Sequence, residues 1–298
     1  MPDSAAPPVR NAGPAEAVAL PFIAVIAESH GNAFTGALVR DAATGAPLAV
    51  TTTAHVPALR CSDFMAGEQM DARIVHALIG HRLLVYADPG EEHVPVAIVP
   101  RNALSPRWAP AWRVNPSLRG TPLLFVVGEI SAREIYQTIP AFAQVVSPYA
   151  AAALAALPAF DATARVEPAS LEGVIAAKTA PLFAALRLLR SWGLGPLALH
   201  SISPCTADDA RFRAELKVDS RALTRTTVIM LFNDVLRAFC EREGCVFVDR
   251  WSDLTENGRA REGVLLDAVH ARPELMRESL ALLYARTLGA ESGSASAA

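Results

Sequence analysis

Short apolar runs, each bounded by Gly, Pro or polar residues, alternate along this chain with longer stretches of helical periodicity. That alternation constrains the fold more than any other feature. The runs are Phe22–Ala27 (FIAVIA), Leu83–Ala87 (LLVYA), Leu123–Val127 (LLFVV), Pro196–His200 (PLALH) and Val246–Asp249 (VFVD). Continuous apolar runs of this length suit strands covered on both faces. Between them, Ala132–Val146, Ser170–Trp192, Ser220–Glu243 and Pro273–Leu288 carry apolar residues at three- and four-residue spacing, the pattern of helices with one buried side. Pro273 sits where a first helical turn tolerates it, and Gly193, Gly195 and Gly244 close helices just before a strand. Strand–helix alternation with short returns predicts a three-layer α/β fold on a mainly parallel sheet.

Composition narrows the function classes. With 298 residues and 52% hydrophobic content, the chain can bury a large core and is not a disordered or low-complexity segment. A net charge of −3 gives no electrostatic footprint for nucleic acid, and no block of like charges suggests a membrane tether. The apolar run Val18–Ala27 contains Pro21 and stops at Glu28, too short to span a bilayer. Cys61, Cys205, Cys240 and Cys245 form no C-x-x-C pair and read as reduced thiols. The expectation is a cytoplasmic protein with neither nucleic-acid nor membrane partners. Residues 1–19 read as a flexible arm, 20–290 as a single domain and 291–298 as a disordered tail. Within the domain, 34–120 reads as an irregular β and loop elaboration.

Chemistry concentrates at two places. The first strand candidate runs straight into Glu28-Ser29-His30-Gly31-Asn32, which puts Ser29 at its C-terminal end. In open α/β sheets that edge is where ligands bind. A serine in a tight strand-to-helix turn can expose its hydroxyl to a substrate, or it can simply cap the next helix. Near the other end, Leu265-Leu266-Asp267-Ala268-Val269-His270 precedes the last helix as D-x-x-H. A nucleophilic serine needs a base, and that imidazole needs a carboxylate to fix its tautomer and stabilise its cation. Three-residue spacing in a turn can bring Asp267 to Nδ1 of His270 and leave Nε2 for Ser29. Ser29 and His270 are therefore expected within hydrogen-bond reach, with the strand ends at Ala27, Val127 and His200 along one edge.

With a serine after the first strand and D-x-x-H before the last helix, the sequence resembles the SGNH/GDSL hydrolase family. The family's first block, strand-G-D-S, here reads Ala27-Glu28-Ser29, and its last block matches at Asp267 and His270. The resemblance spans roughly 20 to 290 and implies a flavodoxin-like α/β/α sandwich. It further implies a cofactor-free, metal-free serine hydrolase that cleaves an acyl ester, O-acetyl esters included, through a Ser-His-Asp triad. The family's G-x-N-D block departs here to Gly128-Glu129-Ile130-Ser131, with Ile130 where the oxyanion Asn belongs. Gly128 then remains the expected backbone donor, Arg133, Ser131 and Asn32 are candidate side-chain donors, and Gly67 is a possible match to the other oxyanion glycine.

Ala27-Glu28-Ser29-His30-Gly31 misses the G-x-S-x-G elbow by one residue, but only a short segment precedes it, whereas that fold places several strands first. The seven histidines show no H-E-x-x-H and no paired Cys/His spacing. His30 and His200 could face the site or serve as structural imidazoles. Trp108 and Trp112, flanked by Arg107 and Arg113, could form a lid or anchor a loop. The same triad would serve an acyltransferase, and the altered oxyanion blocks would also fit a degenerate binding protein.

Overall fold

Phe22–Ala27 (β1) is buried along almost its whole length, and its alternation divides the core in two. Ala24 and Ile26 join one apolar cluster, while Ile23, Val25 and Ala27 join the other. Successive strand residues face opposite sides of a sheet, so a strand apolar at every position needs cover on both. The computed structural model, which describes residues 20–94, 96–99, 107–108 and 111–288, shows that cover.

The central sheet adds Leu38–Arg40 (β2), Pro47–His55 (β3), Leu123–Val126 (β4), Leu197–His200 (β5) and Val246–Val248 (β6). Its order is β6-β5-β4-β1-β3-β2. All neighbours pair in parallel except β2, which lies antiparallel on β3 at the edge. Taken in chain order, the parallel strands follow the 2-1-3-4-5 sequence of flavodoxin-like sheets, with the switch point between β1 and β4. In register, Ala27 lies beside Val126 and Phe125 beside Leu199, so the expected strand ends do share one edge.

Helices Ala72–Gly80 (α1), Glu129–Tyr136 (α2), Pro168–Ser191 (α3), Asp209–Leu216 (α4), Ala222–Glu243 (α5) and Pro273–Thr287 (α6) surround the sheet. α1, α2, α3 and α5 fill the larger cluster, whereas Met276, Leu280 and Leu283 of α6 cover the opposite face with Phe34. The three-layer flavodoxin-like α/β/α sandwich is thus the architecture observed. By length and composition α3 would pass for a membrane span. In the fold its Leu171, Ile175, Leu182 and Leu189 are buried, and Phe183 stacks on Phe239 of α5 at 3.9 Å.

Three expectations require correction. Leu84–Tyr86 is a strand, but it pairs antiparallel with Trp112–Val114 in a separate ribbon instead of joining the central sheet. Its place beside β1 is taken by β3, from within the stretch expected to be an irregular β and loop elaboration. β3 lacks an apolar run because it is threonine-rich; Thr51 bonds the Phe34 carbonyl and Thr52 meets His81 Nδ1 at 2.5 Å, so those hydroxyls are satisfied inside the fold. The helix expected over Ala132–Val146 starts at Glu129 and stops at Tyr136, after which Ala143–Val145 pairs with Ala164–Val166 as a strand. Pro140, which has no N–H to donate, separates the two. The expected arm (1–19) and tail (291–298), and the side chains of Arg107 and Trp108, lie outside the described residues.

A buried arginine holds the loop after β5 in place. Arg225 on α5 is fully buried, bonds Asp209 Oδ1 at 3.0 Å and the Thr206 carbonyl at 2.7 Å, and lies 4.0 Å over the Phe212 ring. It also donates to the Ser220 carbonyl. Thr206 in turn donates its N–H to the carbonyl of Ala268 at 2.8 Å, inside the D-x-x-H segment. Removing one partner of a buried ion pair leaves the other charge uncompensated. Arg225→Ala is therefore expected to cost about 3–5 kcal/mol, read from urea unfolding midpoints, and a cost below about 1 kcal/mol would contradict this role.

Candidate active site

β1 delivers its last residues straight into a two-turn 3-10 helix, Ser29–Phe34. The turn is closed by the Gly31 N–H donating to the Glu28 carbonyl at 2.9 Å. Gly31 fits a tight space there: a Cβ would lie 3.1 Å from Ala27 Cβ and 3.4 Å from the His55 ring. Glu28 points inward, and its Oε1 accepts the Glu129 N–H at 2.8 Å, at the start of α2. A carboxyl group at a helix N-terminus satisfies an otherwise orphan donor. Burial, and then the neighbouring Glu129 carboxylate, push the Glu28 carboxyl up to about 8. It is thus a neutral acid at pH 7.

The D-x-x-H segment folds as a tight turn around its own carboxylate. Asp267 Oδ1 accepts the N–H groups of Val269 at 2.9 Å and His270 at 2.8 Å, while Oδ2 meets His270 Nδ1 at 2.7 Å. Partial burial works against ionisation of Asp267, but these hydrogen bonds outweigh it and hold the carboxyl below its ordinary range. Outside the turn, the Ala268 N–H reaches Glu215 Oε2 at 2.7 Å, and Leu266 N–H donates to the His270 carbonyl at 2.8 Å. With Nδ1 committed to Asp267, the second nitrogen of His270 is the one left for chemistry.

Ser29 and His270, far apart in sequence, line one cavity of about 200 Å³. Asn32 and Asp267 line it too, with Ala33, Leu266, Ala271 and Pro273 as its apolar wall. No hydrogen bond joins Ser29 Oγ to His270 Nε2; both atoms are buried and lack a partner. Catalytic hydrogen bonds without substrate are often long or misaligned. Against the His270 ring packs that of His30, centroids 4.7 Å apart and planes tilted by 51°. Burial, followed by the nearby His270 and His200 imidazoles, pushes His30 down to about 3, so it is neutral.

The remaining candidates lie elsewhere. Gly128 opens α2 at φ +121°, a conformation suited to glycine, and a Cβ there would press on Ile202 at 3.0 Å. It does not line the Ser29 cavity. Arg133 is held by Glu129 Oε2 at 2.5 Å, and the Ser131 hydroxyl accepts the Cys61 N–H at 2.9 Å. Gly67 turns the small hairpin of Met65–Ala66 and Gln69–Asp71 at φ +64°. Of the expected oxyanion group, only Asn32 shares the cavity with Ser29. His200 is a structural imidazole, bound to the Ser201 carbonyl at 2.6 Å and Ser279 Oγ at 2.7 Å. Trp112 packs edge-on against Tyr86 in the outer ribbon, and Asp208 caps α4.

A larger cleft of about 650 Å³ opens between α1 and β3, but among the described residues no carboxylate lines it to orient a histidine. Its His81 is already engaged with Thr52 and with the Val25 carbonyl at 3.2 Å. Sequence reasoning missed two residues at the smaller cavity. Leu266 is 61% exposed at its rim, and Glu129 lines with Glu28 and His30 a separate small void next to it. A large apolar residue beside D-x-x-H and a second acid after the strand-end glycine were the available signals.

Fold and site together define a class: an α/β/α sandwich that gathers a serine, a histidine and an aspartate at the carboxyl edge of a parallel sheet. No family model matches the chain, and no curated protein matches it. Among solved structures it is similar to a GDSL-like lipase from Bacteroides thetaiotaomicron, with 10% identity and a TM-score of 0.43 over 89% of this chain and 88% of that one. It is also similar to an extracellular lipase from Streptomyces rimosus, with 11% identity and a TM-score of 0.40 over 90% and 99% of the two chains. Likeness this distant carries no argument about activity, which rests on the geometry.

The buried Glu28 carboxyl makes stability depend on pH with a definite sign. Its folded pKa lies above the unfolded value of 4.5, so its contribution is fully present below pH 4.5 and is lost as pH rises to about 8. Glu28→Gln, a neutral isostere, should flatten that decline. Urea midpoints compared on either side of the window test this; an equally steep decline in the variant would assign the pH dependence to other groups.

Proposed function

We propose that this chain is a serine-dependent acyl-ester hydrolase of the SGNH/GDSL type, with Ser29 as nucleophile, His270 as base and Asp267 orienting His270. One observation carries the reading: His270 is fixed through Nδ1 to Asp267 at 2.7 Å, while its Nε2 and Ser29 Oγ are both unpartnered in one cavity. Proton transfer from serine requires a base oriented by a carboxylate with its second nitrogen left for the hydroxyl, and His270 meets that condition.

In the proposed reaction Ser29 Oγ attacks the ester carbonyl as His270 Nε2 takes its proton. The Asp267 carboxylate stabilises the imidazolium that forms. The Ser29 backbone N–H and the Asn32 carboxamide serve as donors to the oxyanion. His270 then protonates the leaving alkoxide, and water, deprotonated by the same imidazole, releases the acid from the acyl-enzyme. The cavity, at about 200 Å³, is smaller than the usual span of drug-sized ligand sites. Its apolar wall suits a short acyl group, with the alcohol portion left outside.

A fluorophosphonate probe should label the wild-type protein and leave Ser29→Ala unmodified. With p-nitrophenyl acetate, Ser29→Ala and His270→Ala should each lower kcat by roughly 10⁴–10⁶-fold, since the two act as one unit. Asp267→Asn, one step further from the reacting atoms, should lose less, roughly 10²–10⁴-fold. Equal labelling of Ser29→Ala would remove Ser29 as the nucleophile.

A further inference from the structure

Three buried polar atoms beside the nucleophile turn have no hydrogen-bond partner among the described residues: Glu28 Oε2, His30 Nε2 and Glu129 Oε1. Their residues line one small void of about 10 Å³, bounded also by Ser203 and Met276. Such a space admits about one water molecule. Leaving a buried polar atom unpaired is costly, and buried polar groups are as a rule satisfied by protein or by ordered water. Three unpaired atoms around a water-sized space meet both conditions for an internal water: room, and enough polar partners.

We infer that one bound water links Glu28, His30 and Glu129, and that His30, anchored by this water, is a positioning residue for His270. The second half rests on the reading of His270 as the base. Donors and acceptors balance around the site. A neutral imidazole carries its hydrogen on one ring nitrogen and accepts at the other, and Nε2, the nitrogen at the void, is assigned here as the acceptor. Glu28, a neutral acid at pH 7, carries an O–H to donate. The water accepts that proton donor and gives its own two hydrogens to His30 Nε2 and the Glu129 carboxylate.

The consequence reaches the reacting atoms through one contact. His30 is held between the water on one side and the His270 ring on the other, at 4.7 Å between centroids. His30 thereby limits where His270 can tilt, and it does so without charge. A cation at that position would oppose the imidazolium that His270 forms during turnover. Displacement of a catalytic group by about 1 Å can cost about 10²-fold in rate, so a missing anchor should register in kcat.

Two measurements test this on the full-length protein. A high-resolution crystal structure of the wild type should show a water within about 2.6–3.2 Å of all three atoms. A void without density, or carboxyl and imidazole bonded directly to each other, overturns the water site. Separately, His30→Phe keeps a ring against His270 but removes the acceptor. With p-nitrophenyl acetate its kcat should fall about 10- to 100-fold with KM within about twofold, and His30→Gln, which restores an acceptor, should recover part of the loss. Unchanged kcat in His30→Phe, or a loss confined to KM, overturns the positioning role. Should the phenylalanine variant fail to fold, His30→Gln against His30→Leu makes the same comparison. Fluorophosphonate labelling that survives Ser29→Ala defeats the triad reading alone, and diffraction still decides the water.

Discussion

The hydrogen bond from the Glu129 N–H to the Glu28 carboxyl ties the ends of β1 and β4 together at the point where the strand order reverses. Parallel strands diverge at such a switch point, opening a crevice that a ligand can enter. Here the crevice floor is closed by a carboxyl from one strand end and a helix N-terminus from the other. Ser29 follows Glu28 directly, so its place is set by a bond made by its neighbour. The orientation costs Glu28 its hydration, and the group answers by keeping its proton.

The opposite wall is assembled differently. Asp267 and His270 are arranged by the turn they belong to, through hydrogen bonds spanning no more than three residues. What brings that turn to Ser29 is a relay of loops: Arg225 grips Thr206, Thr206 bonds Ala268, and α6 then packs back on the sheet through Met276 and Leu280. Local geometry is therefore cheap and autonomous, while its delivery depends on a fully buried guanidinium. Positional precision in the site accordingly draws on packing well outside it.

Neutral groups prevail beneath the proposed nucleophile. His30 and His200 are both held down by burial, at about 3 and about 4, and Glu28 is held up. Each gives up its charged form because hydration is lost without a full ionic partner. Around a base that must gain and lose a proton, a floor of fixed neutral groups leaves Asp267 as the carboxylate hydrogen-bonded to His270.

Periodicity in the sequence determined four of the six strands of the central sheet and the extents of α3, α5 and α6, because two-sided burial forces apolar runs and one-sided burial forces helical spacing. It also determined the Asp267–His270 pair, whose geometry is local to four residues. The sequence reading put β3 in a β and loop elaboration and not beside β1, since Thr51 and Thr52 satisfy their hydroxyls against Phe34 and His81, partners that exist only once the chain is folded. It likewise placed Gly128, Arg133 and Gly67 at the site on motif order, whereas the fold assigns them to a helix start, an ion pair with Glu129 and a hairpin turn. The ring contact from His30 to His270 and the convergence of Glu28 with Glu129 were decided by tertiary structure alone. Residue type and spacing encode what one turn or one strand must satisfy; contacts between distant segments follow from how the layers close, which no local pattern records.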